Sequence, residues 1–169
     1  MKKVTGIFIV MLTLFGSFLF IPLYSVISFT ETKTTNNPQM YYIVVDQDEI
    51  FQIRFTHSIH LTDVLETYKV VDNDKFQLIS MEYEDVAVGM PAYAEEGQSL
   101  IYEDGKYTLS YSEAFLDNFV LYVGDINTDL FFYYKGKAID LKKHLQRGNS
   151  YLLEIKKFSL YDRMKGVQM

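Results

Sequence analysis

From Val4 to Phe29 the chain runs 26 residues without a charged side chain. As a helix this stretch would measure roughly 39 Å, at about 1.5 Å per residue. A bilayer's hydrocarbon core is about 30 Å thick, so a tilted helix of this length spans it. Lys2 and Lys3 precede the stretch, and the first charge after it is Glu31. The positive-inside rule then sets the N-terminus in the cytoplasm and the bulk of the chain outside, a single-pass arrangement in the cell membrane. Two readings are open for residues 1–29: a retained signal anchor, favoured by the long apolar core, or a cleaved signal peptide. Residues 30–40, rich in Thr and Asn, read as a stalk.

Past the stalk the pattern changes to short apolar runs separated by turn residues, the signature of an all-β domain over residues 41–157. Ile50–His57 alternates, with Phe51, Ile53, Phe55 and His57 on one face. Val64–Val71 and Phe76–Tyr83 follow. Asp85–Gln98 holds Gly89, Pro91 and Gly97 and reads as a long loop. Asp104-Gly105 between two apolar runs is a hairpin turn. Phe119–Val123, Leu130–Tyr134, Lys137–Ile139 and Tyr151–Ile155 are further strands. Leu141–Leu145 is a helical turn capped by Asp140. Ser112–Asn118 also admits a helix, capped by Ser112. The expected fold is a sandwich or partly open barrel of about eight to ten mostly antiparallel strands, preceded by one N-terminal transmembrane helix. Residues 158–169 read as a surface tail that admits a turn of helix, with a frayed terminus as the alternative.

All 22 acidic residues lie after Phe29, against fourteen basic ones, so this part carries a formal charge of −8. Phosphate backbones repel such a surface, and no nucleic-acid partner is expected. The chain has no cysteine, which excludes disulfides, thiolate metal sites and a cysteine nucleophile.

The chemistry-bearing residues concentrate in Phe55-Thr56-His57-Ser58-Ile59-His60, followed by Asp63 and Glu66. With Ile59 opposite Val64, a four-residue loop at 60–63 makes a hairpin. That register sets His57 beside Glu66 and Phe55 beside Tyr68 on the apolar face. The pair is either a structural couple at the core rim or a general base oriented by a carboxylate. His57 and His60 have H-x-x-H spacing, but residues three apart on a strand diverge unless the chain bends at Ser58. They are weak metal candidates, and no cofactor is expected. No G-x-S-x-G elbow accompanies Ser58.

Taken together, Arg54-Phe55-Thr56-His57-Ser58-Ile59, Glu66-Thr67-Tyr68-Lys69-Val70, Gly89-Met90-Pro91 and Asp104-Gly105-Lys106 resemble a bacterial family catalogued as a domain of unknown function. Its small exported or membrane-anchored members carry an aromatic-x-His-Ser-Val/Ile motif. They are often encoded beside tripartite TRAP transporters of the TAXI class. The resemblance implies a link to solute uptake and supplies no activity. The resulting expectation is a membrane-anchored extracytoplasmic accessory or binding protein. It would touch the cytoplasmic membrane through residues 4–29 and a transporter subunit or solute receptor through its domain. The ligand-binding candidates are His57, Ser58, His60, Asp63, Glu66, Gly89 and Pro91. The alternatives are a cell-surface hydrolase using His57 and Glu66, or a purely structural surface protein.

The purified protein should leave a DNA fragment unshifted in a gel, even at low ionic strength where phosphate contacts are strongest.

Overall fold

The computed structural model describes residues 11, 13, 16–33, 38–72, 74–86 and 89–169. Among them are twelve strands and two short helices, and residues 16–18 are helical ahead of the first strand. The strands are β1 (Tyr24–Glu31), β2 (Met40–Val44), β3 (Ile50–Thr56), β4 (Asp63–Val71), β5 (Lys75–Tyr83), β6 (Gln98–Glu103), β7 (Lys106–Leu116), β8 (Asn118–Val123), β9 (Leu130–Tyr134), β10 (Lys137–Asp140), β11 (Asn149–Phe158) and β12 (Val167–Gln168). The helices are α1 (Leu141–His144) and α2 (Leu160–Lys165). The strands form two sheets, β12-β2-β1-β11-β8 and β10-β9-β3-β4-β5-β7-β6. Every pairing is antiparallel except β12 with β2. The sheets stack as a sandwich and each keeps its edges, which removes the barrel alternative.

Alternation writes the core. Phe51 and Ile53 of β3 and Val64, Tyr68 and Val70 of β4 point inward and are buried. Phe51 stacks between Tyr68 (5.2 Å) and Phe132 (5.0 Å). The smaller sheet closes on these rings with Phe29, edge-on to Phe132, and Phe119, stacked on Tyr68 at 5.1 Å. The hairpin at Asp104-Gly105 has positive φ at both residues, 49° and 81°, as a two-residue type I′ turn requires. Asp140 caps α1 by accepting from the Lys142 N–H at 3.1 Å.

The N-terminal reading needs correction. Residues 24–29 are not part of a membrane segment. They belong to β1, a central strand between β2 and β11 with Val26, Ile27 and Phe29 wholly buried. A strand covered on both faces is apolar at nearly every residue, so it merges in the sequence with an apolar helix. Of the remainder, residues 4–10, 12, 14 and 15 lie outside the described residues. No helix of the described residues is long and apolar enough to cross a membrane. Residues 30–40 are not a stalk either: Thr30 and Glu31 finish β1, Met40 starts β2, and the segment between joins the two.

Two further expectations change. Ser112–Asn118 is not helical. Ala114–Leu116 pair with Phe76–Leu78 of β5, and the Ser112 hydroxyl donates to the Gly97 carbonyl at 2.9 Å. Cross-strand pairing outweighs the modest differences in helix propensity. Residues 158–169 are not a frayed tail. Phe158 is buried, Ser159 and Asp162 form a capping box, and α2 crosses to lay β12 along β2. The crossing is close: a Cβ on Gly166 would sit 2.9 Å from Cδ1 of Tyr42.

Gly166→Ala should therefore lower the unfolding free energy by about 1–3 kcal/mol, because the buried Tyr42 ring has little room to yield. Gly124→Ala, where the nearest atom would be 3.7 Å away, should stay within about 0.5 kcal/mol. Urea denaturation followed by tyrosine fluorescence measures both.

Candidate functional site

One end of the sandwich gathers the β3–β4 connection, the β5–β6 loop, the β8–β9 loop and α1. The β3–β4 connection is a six-residue turn, 57–62, rather than the expected four-residue loop. The His57 N–H donates to the Thr62 carbonyl (2.8 Å), and the Leu61 N–H to the His57 carbonyl (2.9 Å). The strands accordingly pair Phe55 with Val64, Ile53 with Glu66 and Phe51 with Tyr68.

This register overturns the His57–Glu66 pair. Glu66 faces Ile53, four residues from His57, a separation of about 13 Å along the strand. The offset is even, so the inward faces survive while the partners change. The outer face supplies the reason. The expected register would set Arg54 directly opposite Lys69, a like-charge pair that destabilises a sheet. In the observed one Arg54 reaches Asp63 at 2.8 Å and Asp129 at 3.0 Å. Lys69 instead meets Asp48 at 3.0 Å, and Gln52 bonds Thr67 at 3.1 Å.

Glu66 is part-buried on the inner face and accepts a hydrogen bond from the Tyr68 hydroxyl at 2.7 Å. Burial raises its pKa above the usual carboxylate value, and the Tyr68 bond partly opposes that. The Tyr68 hydroxyl is itself raised, first by burial and then by the Glu66 charge.

The two imidazoles do come together, because the chain bends at Ser58. The His57 and His60 rings stack with centroids 4.8 Å apart. The Nδ1 atom of each ring is engaged elsewhere. Nδ1 of His57 faces the N–H groups of Ile59 and His60, and Nδ1 of His60 lies 3.3 Å from Asp85. Among the described residues no three His, Asp or Glu side chains are grouped to hold a metal ion.

His57 and Ser58 line a pocket of about 470 Å³. Phe55, Leu121, Ile126 and Leu130 give it apolar walls, and Asp125, Asp129 and Lys142 give it charge. Lys142 donates to the Ile126 carbonyl (2.9 Å) and the Thr128 hydroxyl (3.2 Å), bracing the β8–β9 loop. Burial lowers its pKa, and Arg147 adds to that. Gly89 and Pro91 line a different pocket of about 400 Å³, against Leu109 and Tyr111. The Tyr83 hydroxyl pins that loop through the Pro91 carbonyl at 2.6 Å. The expected site residues thus divide: His57 and Ser58 in one pocket, Gly89 and Pro91 in another, His60 beside Asp85, Asp63 in the Arg54 ion pair, and Glu66 against Tyr68. Sequence reasoning missed Lys142, Asp125 and Asp129. The polar run Gly124–Asp129 directly after an apolar strand is the one signal that pointed to them.

The family model described as "Domain of unknown function (DUF1850)" matches residues 51–141. The chain belongs to this family. The match spans β3 to β10 and the start of α1, which is the whole larger sheet together with β8 and the pocket loops. DUF1850 membership agrees with the uncharacterised-family resemblance read from the sequence. No curated protein and no solved structure matches the chain.

Two predictions follow from the register. His57→Ala and Glu66→Gln should be additive within about 0.5 kcal/mol, as expected of residues without a shared partner. Tyr68→Phe with Glu66→Gln should not be, because the first removes the donor of the one hydrogen bond whose acceptor the second makes neutral and weaker. The pH dependence has a definite sign. A carboxyl whose folded pKa lies above its ordinary value of 4.5 gives stability that is fully present below that pH and lost as pH rises through the folded value. Unfolding curves at pH 4 and pH 7 should show Glu66→Gln gaining on the parent as pH rises.

Proposed function

We propose that this protein is an extracytoplasmic binding module, tethered to the membrane by the uncharged segment that begins at Val4 and ends before Leu19, whose carbonyl accepts from the Tyr161 N–H of the domain, and acting as an accessory to a solute transporter. One observation carries the reading: the tether side and the pocket lie at opposite ends of β1. The strand begins at Tyr24 beside Phe158 and finishes at Glu31 beside Tyr151. β11 there pairs with the end of β8, which leads into the pocket loop. Eight residues, seven steps of about 3.3 Å, hold the two ends about 23 Å apart. A tethered domain of this shape presents the His57–Ser58 pocket away from the bilayer, toward a soluble receptor or the outer face of a permease. Apolar walls with a few convergent polar groups suit a small ligand or an inserted side chain. The missing His57–Glu66 contact takes away the oriented base that a hydrolase reading used.

The cysteine-free sequence makes topology directly measurable. Cysteine replacing the exposed Leu61, beside the pocket, should react with a membrane-impermeant maleimide in cells stripped of their wall. Cysteine replacing Lys3 should react only after lysis. The reverse pattern would refute the arrangement. Photocrosslinking from Ile126 should trap a transport component, and its absence in cells actively taking up solute would count against the accessory role.

A further inference from the structure

The two sheets differ in width, and the mismatch falls beside an unprotected edge. Among the described residues β8 pairs with β11 on one side only. Its inward Phe119 lies on Tyr68 of β4 and Phe76 of β5. The larger sheet continues past it through β7 and β6. Met81 of β5 and Tyr111 of β7 are only partly buried there. The β5–β6 loop covers part of this overhang through Val86 and Met90, over the buried Val64, Tyr83 and Leu109, and leaves Met81 and Tyr111 only partly covered.

The β8 edge is chemically open. Its sequence, Asn118-Phe119-Val120-Leu121-Tyr122-Val123, has no charge and no proline, and its register with β11 is unbroken. Edge strands normally carry such features to prevent pairing. Those of the larger sheet do: β10 holds Lys137 and Asp140, and β6 ends in Glu103. In an antiparallel pair alternate residues bond the neighbour, so about three residues of β8 direct N–H and C=O outward. Among the described residues Asn118–Tyr122 make no backbone bond except to β11. Val120 and Tyr122 are 59% and 58% exposed beside that edge. Leu121 and Tyr122 also line the His57–Ser58 pocket, so the edge leads into it.

We infer that β8 accepts an extended, uncharged peptide segment of a partner protein as a sixth strand of the smaller sheet. Alternate apolar side chains of that segment would cover Met81 and Tyr111, and its backbone would satisfy the open edge. A second copy of this chain does not fit. Joining two β8 strands antiparallel about a two-fold axis leaves both larger sheets on the same side. Each overhangs the joint by at least two strands, about 10 Å, and the two would occupy one space. A single strand has no such overhang. The inference stands on the fold alone and does not depend on the membrane tether.

The test uses the full chain in detergent and a defined peptide: four Val-Thr repeats, acetylated, with a lysine at each end. Hydrogen–deuterium exchange should slow at Asn118–Val123 by about tenfold or more when the peptide saturates. Two control peptides carry N-methyl groups on opposite sets of alternate amides. One set faces β8 in the added strand and the other faces away, so one control should lose the protection and the other keep it. No slowing at β8, or equal protection by both controls, would overturn the proposal. Slowing that grows with protein concentration without peptide would overturn it in favour of self-association.

Discussion

The structure depends on one aromatic stack. Phe132, Phe51, Tyr68 and Phe119 lie face to face in sequence across the core, each pair with centroids 5.0–5.2 Å apart. The first three come from adjacent strands of the larger sheet and the fourth from the smaller, so a single run of rings fixes register within one layer and docks the other upon it. Phe76 meets both Phe51 and Phe119 edge-on, and offset and edge-to-face contacts of this kind add about 0.5–1.5 kcal/mol each to simple burial. Sliding β3 against β4 would unstack Phe51 from Tyr68. The register is therefore held by the rings inside and by the Arg54–Asp63 and Gln52–Thr67 contacts outside.

Local chemistry was the most legible part of the fold. Asp104-Gly105 demands two positive φ values and obtains them; Asp140 supplies a cap where a helix starts; alternation assigns the inner faces of β3 and β4 correctly. Non-local facts were not legible. The apolar sequence Val26–Phe29 is the same whether bilayer lipids or two protein layers surround it. The Ser159–Asp162 capping box was readable yet overlooked at the chain terminus, where fraying is the ordinary expectation. Ser112 looked like a cap because nothing in its own neighbourhood announces the pairing of Ala114 with Leu78.

The site divides in the same way. His57 and Ser58 were legible because a polar pair interrupting an alternating strand marks a place where the chain leaves the sheet. The rest of their pocket comes from Gly124–Asp129 and Lys142, about seventy to eighty-five residues on, and only the sandwich brings them near. The supposed partner of His57 failed for a specific reason. Alternation decides which face a residue takes but cannot distinguish registers that differ by an even number. Two contacts separate the registers: Phe51 stacked on Tyr68, and Arg54 beside Asp63 rather than opposite Lys69.

The placement of β1 bears on how the chain reaches its folded state. This strand, near the start of the sequence, lies between β2 and β11, and β11 is the last long strand. Throughout ribosomal synthesis β1 therefore waits for a neighbour more than a hundred residues away. Long-range pairing of this kind is slow, and a waiting apolar strand invites aggregation. The smaller layer closes only through Phe158 and α2, so completion of this sheet is deferred until β11 has been made.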